Sequence, residues 1–264
     1  MKRCLVLCIA AILLLVGLCG CKEQGVTMEE LSQVGTLKIA LIGECAPYVI
    51  QNEDGSLWGI EVDLLHRVCE QINVKAEFTL LDRETALNGV EKGDYHLAAG
   101  MLSDKSETEQ TLVYTNGYAK IPQAVVCKLD GEFHNMTDLR VKRIGTRIGT
   151  YAHALSAREG YFGFGYNTFS ESLQQLEQDK VVALLMDRWV AQQLVTPYDE
   201  ETAQAGDLVI LDGTVATGLH CFAMAGGSGD VVNQINIAIS QLAAEGIIAE
   251  IFETYFATYY SPYQ

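Results

Sequence analysis

Leu37-Lys38-Ile39-Ala40-Leu41-Ile42 is a short, mostly apolar run of the kind buried on both faces of a parallel sheet. Glu53-Asp54-Gly55-Ser56 is turn chemistry. Ile60, Leu64, Leu65, Val68, Cys69 and Ile72 then recur at helical spacing and make one apolar face. Val74, Ala76, Phe78 and Leu80 alternate with Lys75, Glu77 and Thr79, as in a half-buried strand. A short helix over Ala86 to Lys92 ends at Gly93, and Leu97-Ala98-Ala99 is the next strand. The first third of the chain therefore reads β-α-β-α-β, an α/β layer architecture.

A second unit follows Tyr118. Arg143-Ile144-Gly145 reads as a strand, Thr150 opens a helix through Arg158, and Val181 to Met186 is a buried strand feeding Asp187. A helix around Trp189 to Val195, a strand at Leu208 to Leu211 and two closing helices complete the chain. The first of those two carries Val231, Val232, Ile235, Ala238, Ile239 and Leu242 on one face. Composition is even from Leu37 to Tyr255, so any division into domains comes from topology rather than from a linker.

The chain has 264 residues, 49% of them hydrophobic, enough for one large or two modest domains. Its formal charge of −16 argues against nucleic acid as a partner, because phosphate affinity comes from Lys and Arg. The start is different in kind. Met1-Lys2-Arg3 is basic, Cys4 to Leu18 is almost wholly apolar, and Leu18-Cys19-Gly20-Cys21 ends the run. That is a secretory signal by its three regions, too short for a comfortable spanning helix. Its terminator resembles the lipobox of bacterial lipoproteins, which implies cleavage before Cys21 and acylation of that sulfur. An uncleaved N-terminal anchor is the other reading. Lys22 to Gln33 is polar and reads as a tether. Cys45, Cys69, Cys127 and Cys221 are too widely spaced for a metal or redox motif. They allow two bridges in any of three connectivities, or buried thiols.

Gly59-Ile60-Glu61-Val62-Asp63-Leu64, with the small-apolar helix after it, resembles the signature of bacterial extracellular solute-binding proteins of the polar amino-acid type. Ala46-Pro47-Tyr48, Ala98-Ala99-Gly100-Met101, Val113 to Tyr118, Ile144 to Thr150 and Gln241 to Phe252 resemble further segments of that family, in family order. The resemblance covers about Leu37 to Tyr255. It implies two α/β lobes joined by two crossover strands with a ligand cleft between them, the type 2 periplasmic-binding-protein fold. The implied organisation is a leader over 1–20, a tether over 21–36, lobe 1 over 37–121 plus 215–257, and lobe 2 over 122–214. It further implies a lipid-anchored, monomeric, extracytoplasmic protein that hands an amino acid or related amine-bearing molecule to an ABC permease.

The same resemblance points to candidate ligand contacts. Asp187 matches the aspartate that holds the ligand's α-ammonium group, and equally reads as an N-cap. Thr150 and its neighbouring N–H groups are placed to receive an anion, or simply cap a helix. Gly100, Met101 and Ser103 belong to the ligand loop, and Arg147 to a loop facing ligand. Tyr48 and Trp58 offer stacking faces, with core packing as the alternative. Glu44 is an acid just past the first strand, suited to a polar group on the ligand or to solvent.

Two departures from the family pattern bear on specificity. The arginine that clamps the α-carboxylate in amino-acid binders is replaced by Thr108, and no arginine lies between Asp94 and Leu139. Lys105 is a near-register substitute without the two-pronged guanidinium. Arg83 stands where relatives often place an aromatic, able to restore the cation from across the cleft or to pair with Asp82 or Glu84. The expected ligand therefore carries a cationic or amine group and an unusual or absent α-carboxylate arrangement. Hydrolase, metalloprotease, phosphate-loop and dinucleotide motifs are missing, and the five histidines have no metal-ligand spacing. The reading is a binding protein without catalytic residues, metal or cofactor. A solute-sensing receptor subunit and a dehydratase-like enzyme on the same fold are the alternatives.

Overall fold

Gly59 stands at φ +129° before the first long helix, and a Cβ there would lie 2.4 Å from the Tyr48 carbonyl oxygen, so only glycine fits. The helix it opens, α2 (Ile60–Gln71), has Glu61 and Asp63 in its first turn, complementing the positive end of the helix dipole. Its core face is Ile60, Val62, Leu64, Leu65, Val68 and Cys69. The computed structural model describes residues 24–43, 46–103, 111–129, 131–158, 161–195, 208–211 and 216–260.

Strands β1 (Thr36–Ile42), β4 (Lys75–Leu81) and β5 (Leu97–Leu102) form a parallel set ordered β4-β1-β5, connected through α2 and through α3 (Arg83–Lys92). A hairpin of β2 (Ile50–Gln51) and β3 (Leu57–Trp58) precedes α2. The second parallel set is β10-β8-β9, made of β8 (Arg143–Arg147), β9 (Phe162–Tyr166) and β10 (Ala183–Asp187). Its helices are α4 (Tyr151–Arg158), α5 (Phe169–Glu177) and α6 (Arg188–Val195).

Two antiparallel strands join the sets. β7 (Ala119–Lys128) and β12 (Thr217–Ala225) pair from Ala119↔His220 to Pro122↔Thr217. Beyond that register they part: β7 continues along β10, and β12 along β5. With β6 (Leu112–Tyr114) on β12 and β11 (Leu208–Ile210) on β7, the result is one curled ten-stranded sheet. The molecule is thus two α/β lobes joined by two crossover strands. Helices α7 (Gly229–Ala244) and α8 (Ile247–Tyr260) return to the first lobe and pack on α2. Among the described residues no single helix is long and apolar enough to cross a membrane.

Local structure departs from expectation in two places. The segment read as a polar tether contains α1 (Met28–Val34), closed at its start by a reciprocal Thr27–Glu30 capping box and at its end by left-handed Gly35. It docks through buried Leu31, and Asp230 of α7 accepts from the Met28 N–H. Helix α3 begins three residues earlier than its apolar pattern, because Asp82 caps the N–H of Thr85. Strand β9, Phe-Gly-Phe-Gly-Tyr, is an edge strand with Phe162 well exposed. Cys69, Cys127 and Cys221 are buried, reduced thiols, and Cys45 lies outside the described residues.

Candidate functional site

The carboxyl ends of β1, β4, β8 and β9 converge on a cavity of about 510 Å³ between the lobes. Open α/β sheets take ligands outside these strand ends, where successive loops diverge. The first lobe contributes Ile42, Gly43, Leu80, Leu81, Asp82, Arg83 and Glu84; the second contributes Arg147, Asn167 and Thr168. The lobes touch here. Arg147, only 4% exposed, donates from Nη2 to the Gly43 carbonyl at 2.8 Å and from Nε to the Asn167 carbonyl at 3.4 Å. Its guanidinium lies 5.1 Å from the centre of the Phe169 ring.

Arg83 makes the reciprocal crossing. A Cβ built on Gly149 (φ +79°) would lie 1.9 Å from Arg83 Cζ, so the guanidinium occupies the space that glycine leaves. Arg83 also contributes, after burial, to holding the His153 imidazole below its ordinary range. That ring shares a 2.7 Å hydrogen bond with the Thr146 hydroxyl. On the first-lobe side, hydrogen bonds from the hydroxyl and backbone N–H of Thr85 hold the Asp82 carboxyl below the usual range.

Where the crossover strands pass between the lobes, a second group of polar side chains is sealed inside. Asp187, at the end of β10, is 1% exposed and accepts from Gln123 Nε2 at 2.7 Å. Its other oxygen stands 2.9 Å from His220 Nε2. His220 lies between two aromatic rings, 5.0 Å from Tyr48 and 6.1 Å from Tyr118. The Tyr118 hydroxyl donates to Glu61 Oε1 at 2.5 Å, and the Met101 N–H donates to the same oxygen at 3.0 Å. Burial pushes the Glu61 carboxyl up, opposed by the Tyr118 hydrogen bond. Burial and then the Glu61 charge raise the Tyr118 hydroxyl well above its ordinary value. Among the described residues no three His, Cys, Asp or Glu side chains group closely enough to hold a metal ion.

Residues 37–258 match bacterial extracellular solute-binding proteins, family 3. The chain belongs to that family. A relative within reach of the whole family 3 fold is the L-cystine-binding protein TcyJ of Escherichia coli (strain K12). It is 23% identical over 235 residues, which cover 87% of this chain and 85% of TcyJ. Among solved structures, an arginine 3rd transport system periplasmic binding protein from Legionella pneumophila superposes with a TM-score of 0.75. It is 18% identical, over 84% of this chain and 99% of its own. The ancestral amino acid-binding protein AncCDT-1, a precursor of cyclohexadienyl dehydratase, gives a TM-score of 0.70 at 18% identity, over 87% and 99%. At such identities the two structures speak for the fold.

The family signature has a structural meaning in this chain. Glu61 ties α2 to the end of β5 through Met101, which sits at φ +60°, and to the chain just before β7 through Tyr118. Asp63 accepts from the Tyr255 hydroxyl of α8 at 2.7 Å, and that hydroxyl in turn accepts from the Gly59 N–H at 3.1 Å.

Of the residues expected to contact ligand, Arg83 and Arg147 share the cavity wall. Asp187 and Tyr48 meet instead at His220, inside the hinge. Gly100 is buried with its Cα against Ile42, where a Cβ would approach to 2.5 Å, and Met101 and Ser103 are buried beside it at the end of β5. The Thr150 hydroxyl donates to the Arg147 carbonyl at 2.8 Å. Trp58 donates to Asn52 and leans on Tyr255, 5.5 Å between centroids. Glu44, Lys105, Thr108 and Cys21 lie outside the described residues. His96 accepts from the Lys38 N–H through Nδ1, a purely local role. Gln123 and His220 were not singled out by the sequence, since only the folded register places them opposite Asp187.

Proposed function

We propose that this protein is a membrane-tethered extracytoplasmic receptor of an ABC-type uptake system that captures an amino acid or related amine-bearing small molecule by closing its lobes. The observation that carries this reading is the cavity walled by both lobes, with Arg147 of one bonded to Gly43 of the other. A ligand that touches both walls stabilises the closed form over the open one, and so changes the surface offered to a permease. The ligand named for TcyJ, L-cystine, is an amino acid, which supports the ligand class. We divide the chain into lobe 1 (37–121 plus 215–257) and lobe 2 (122–214), a reading that the parting of β7 and β12 supports.

The leader over 1–20 and acylation at Cys21 supply the tether, and the mature protein acts as a monomer. We read it as a binder rather than an enzyme. Thermal-shift screening of the mature protein against amino acids and amines tests the capture, because ligand bound to the native state alone raises the melting temperature. Small-angle scattering with and without the best ligand tests the closure. Cys21→Ser is expected to release the protein from membranes into the soluble fraction. Turnover of any bound ligand would replace the receptor by a dehydratase-like enzyme.

A further inference from the structure

Residues 24–35 form a strap laid on the first lobe at the end away from the cavity. The Gly227 N–H donates to the Gln24 carbonyl at 3.0 Å, the Val26 N–H to the Ser228 hydroxyl oxygen at 3.0 Å, and the Met28 N–H to Asp230 at 2.8 Å. Gly25 packs so closely that a Cβ on it would stand 2.4 Å from the Gly227 carbonyl carbon. Leu31 of α1 is fully buried, and the Lys75 N–H donates to the Gly35 carbonyl at 2.9 Å. A terminal segment is held when its backbone is bonded and its apolar side chains are covered, and both conditions are met here. The strap is part of the lobe and not a loose linker.

The strap starts beside Lys92 and Gly93, where a Cβ on Gly93 would lie 3.2 Å from Gln24 Oε1, and it ends at Val34 and Gly35 beside Lys75. This pole of the lobe holds the amino ends of β1, β4 and β5, whereas the cavity lies at the carboxyl ends of β1 and β4. The seven residues of β1 separate the two by about 20 Å. Resting on the reading of Cys21 as the acylated anchor, we propose that this pole, with Val34, Lys75 and Lys92, is seated on the bilayer, and that the cavity and lobe 2 stand away from it. The docked strap leaves only the steps from Cys21 to Gln24 as leash, which span at most about 10 Å. That reach is about one Debye length at 0.1 M salt, so the pole stays within the headgroup field. Val34, 62% exposed, offers an apolar contact there. Glu29 and Asp94 are exposed on the same pole as the lysines, so leash length sets the seat rather than net attraction of charge.

The test is labelling of the protein's own lysines with an N-hydroxysuccinimide ester that does not cross membranes, read by peptide mass spectrometry. The acylated protein on vesicles of phosphatidylcholine and phosphatidylglycerol is compared with the Cys21→Ser protein in solution. Flotation with the vesicles and the acyl mass on Cys21 establish the anchor independently of the seat. Lys75 and Lys92 are expected to react several-fold more slowly on vesicles, and Lys142 and Lys180, exposed on lobe 2, at an unchanged rate. Inserting about ten Gly/Ser residues after Glu23 adds a root-mean-square reach of about 17 Å. That variant should float as before while Lys75 and Lys92 recover their solution rates. Protein that floats with Lys75 and Lys92 labelled at the solution rate, or with the lobe 2 lysines protected as strongly, overturns the seat and leaves the anchor intact. Protection that survives the insertion does the same. Protein without an acyl group on Cys21 overturns the anchor, and the seat with it.

Discussion

Replacing His220 by alanine strikes a place where both crossover strands and the end of β10 share a polar contact. The imidazole Nε2 stands 2.9 Å from Asp187, and both side chains are 1% exposed. Removing the imidazole takes away one of the two polar neighbours of the buried Asp187 carboxyl and leaves a cavity, at a cost of about 3–5 kcal/mol. The family match covers residues 37–258, and unfolding entropy of about 2.1 cal/mol/K per residue makes each kcal/mol worth about 2 °C at that size. The melting temperature should therefore fall by about 6–11 °C. Asp187→Asn is milder: the amide oxygen still accepts from Gln123, and its nitrogen faces the imidazole Nε2. About 1 kcal/mol, or about 2 °C, is expected. Scanning calorimetry of both variants, with Asp187→Ala and the double variant closing a cycle, measures the coupling directly. A His220→Ala protein melting within 2 °C of the parent would refute the reasoning. So would an Asp187→Asn variant that loses ligand affinity at unchanged stability, since that places the carboxylate on ligand rather than in the hinge.

Glu61 gives a pH signature. A carboxyl raised by burial keeps a proton in the folded chain that the unfolded chain releases near pH 4.3. Its contribution to stability therefore falls as pH rises from about 4.3 through the raised value, then levels. Glu61→Gln, which keeps an acceptor for Met101 and Tyr118, should match the parent at acidic pH and gain on it as pH rises; calorimetry across pH 4–8 showing the opposite trend would count against it. Gly149→Ala should cost about 1–2 kcal/mol for a left-handed backbone carrying a Cβ, read as a fall of about 2–4 °C, and should weaken ligand binding by unseating Arg83. The Cys69 thiol, pushed up to about 12 by burial and by Glu70, should resist alkylation at pH 8 in the native protein and react once it is unfolded. Peptide mass spectrometry reads the labelling; native labelling at the unfolded rate would contradict it.

Sequence alone determined the elements whose pattern is periodic and whose core face is wide. β1, α2, β4, α7 and the buried strand before Asp187 stand where their apolar spacing puts them, because each buries several residues and each burial adds to the signal. The ordered motifs added the two-lobed architecture and the family. Short elements with one anchor left no such trace: α1 buries a single leucine, and its clearest mark is the Thr27–Glu30 cap. Site chemistry was legible only as a set of candidate residues. Whether a carboxylate or guanidinium meets a ligand or a neighbour depends on strand register and on contacts across more than thirty residues of chain, and neither is written in local spacing. The tertiary structure decided that Arg83 and Arg147 face one cavity. It also decided that Asp187 turns inward to a glutamine 64 residues away and a histidine on the other crossover strand. Burying a charge is tolerable only where the fold supplies its partner, and only the assembled fold says who that partner is.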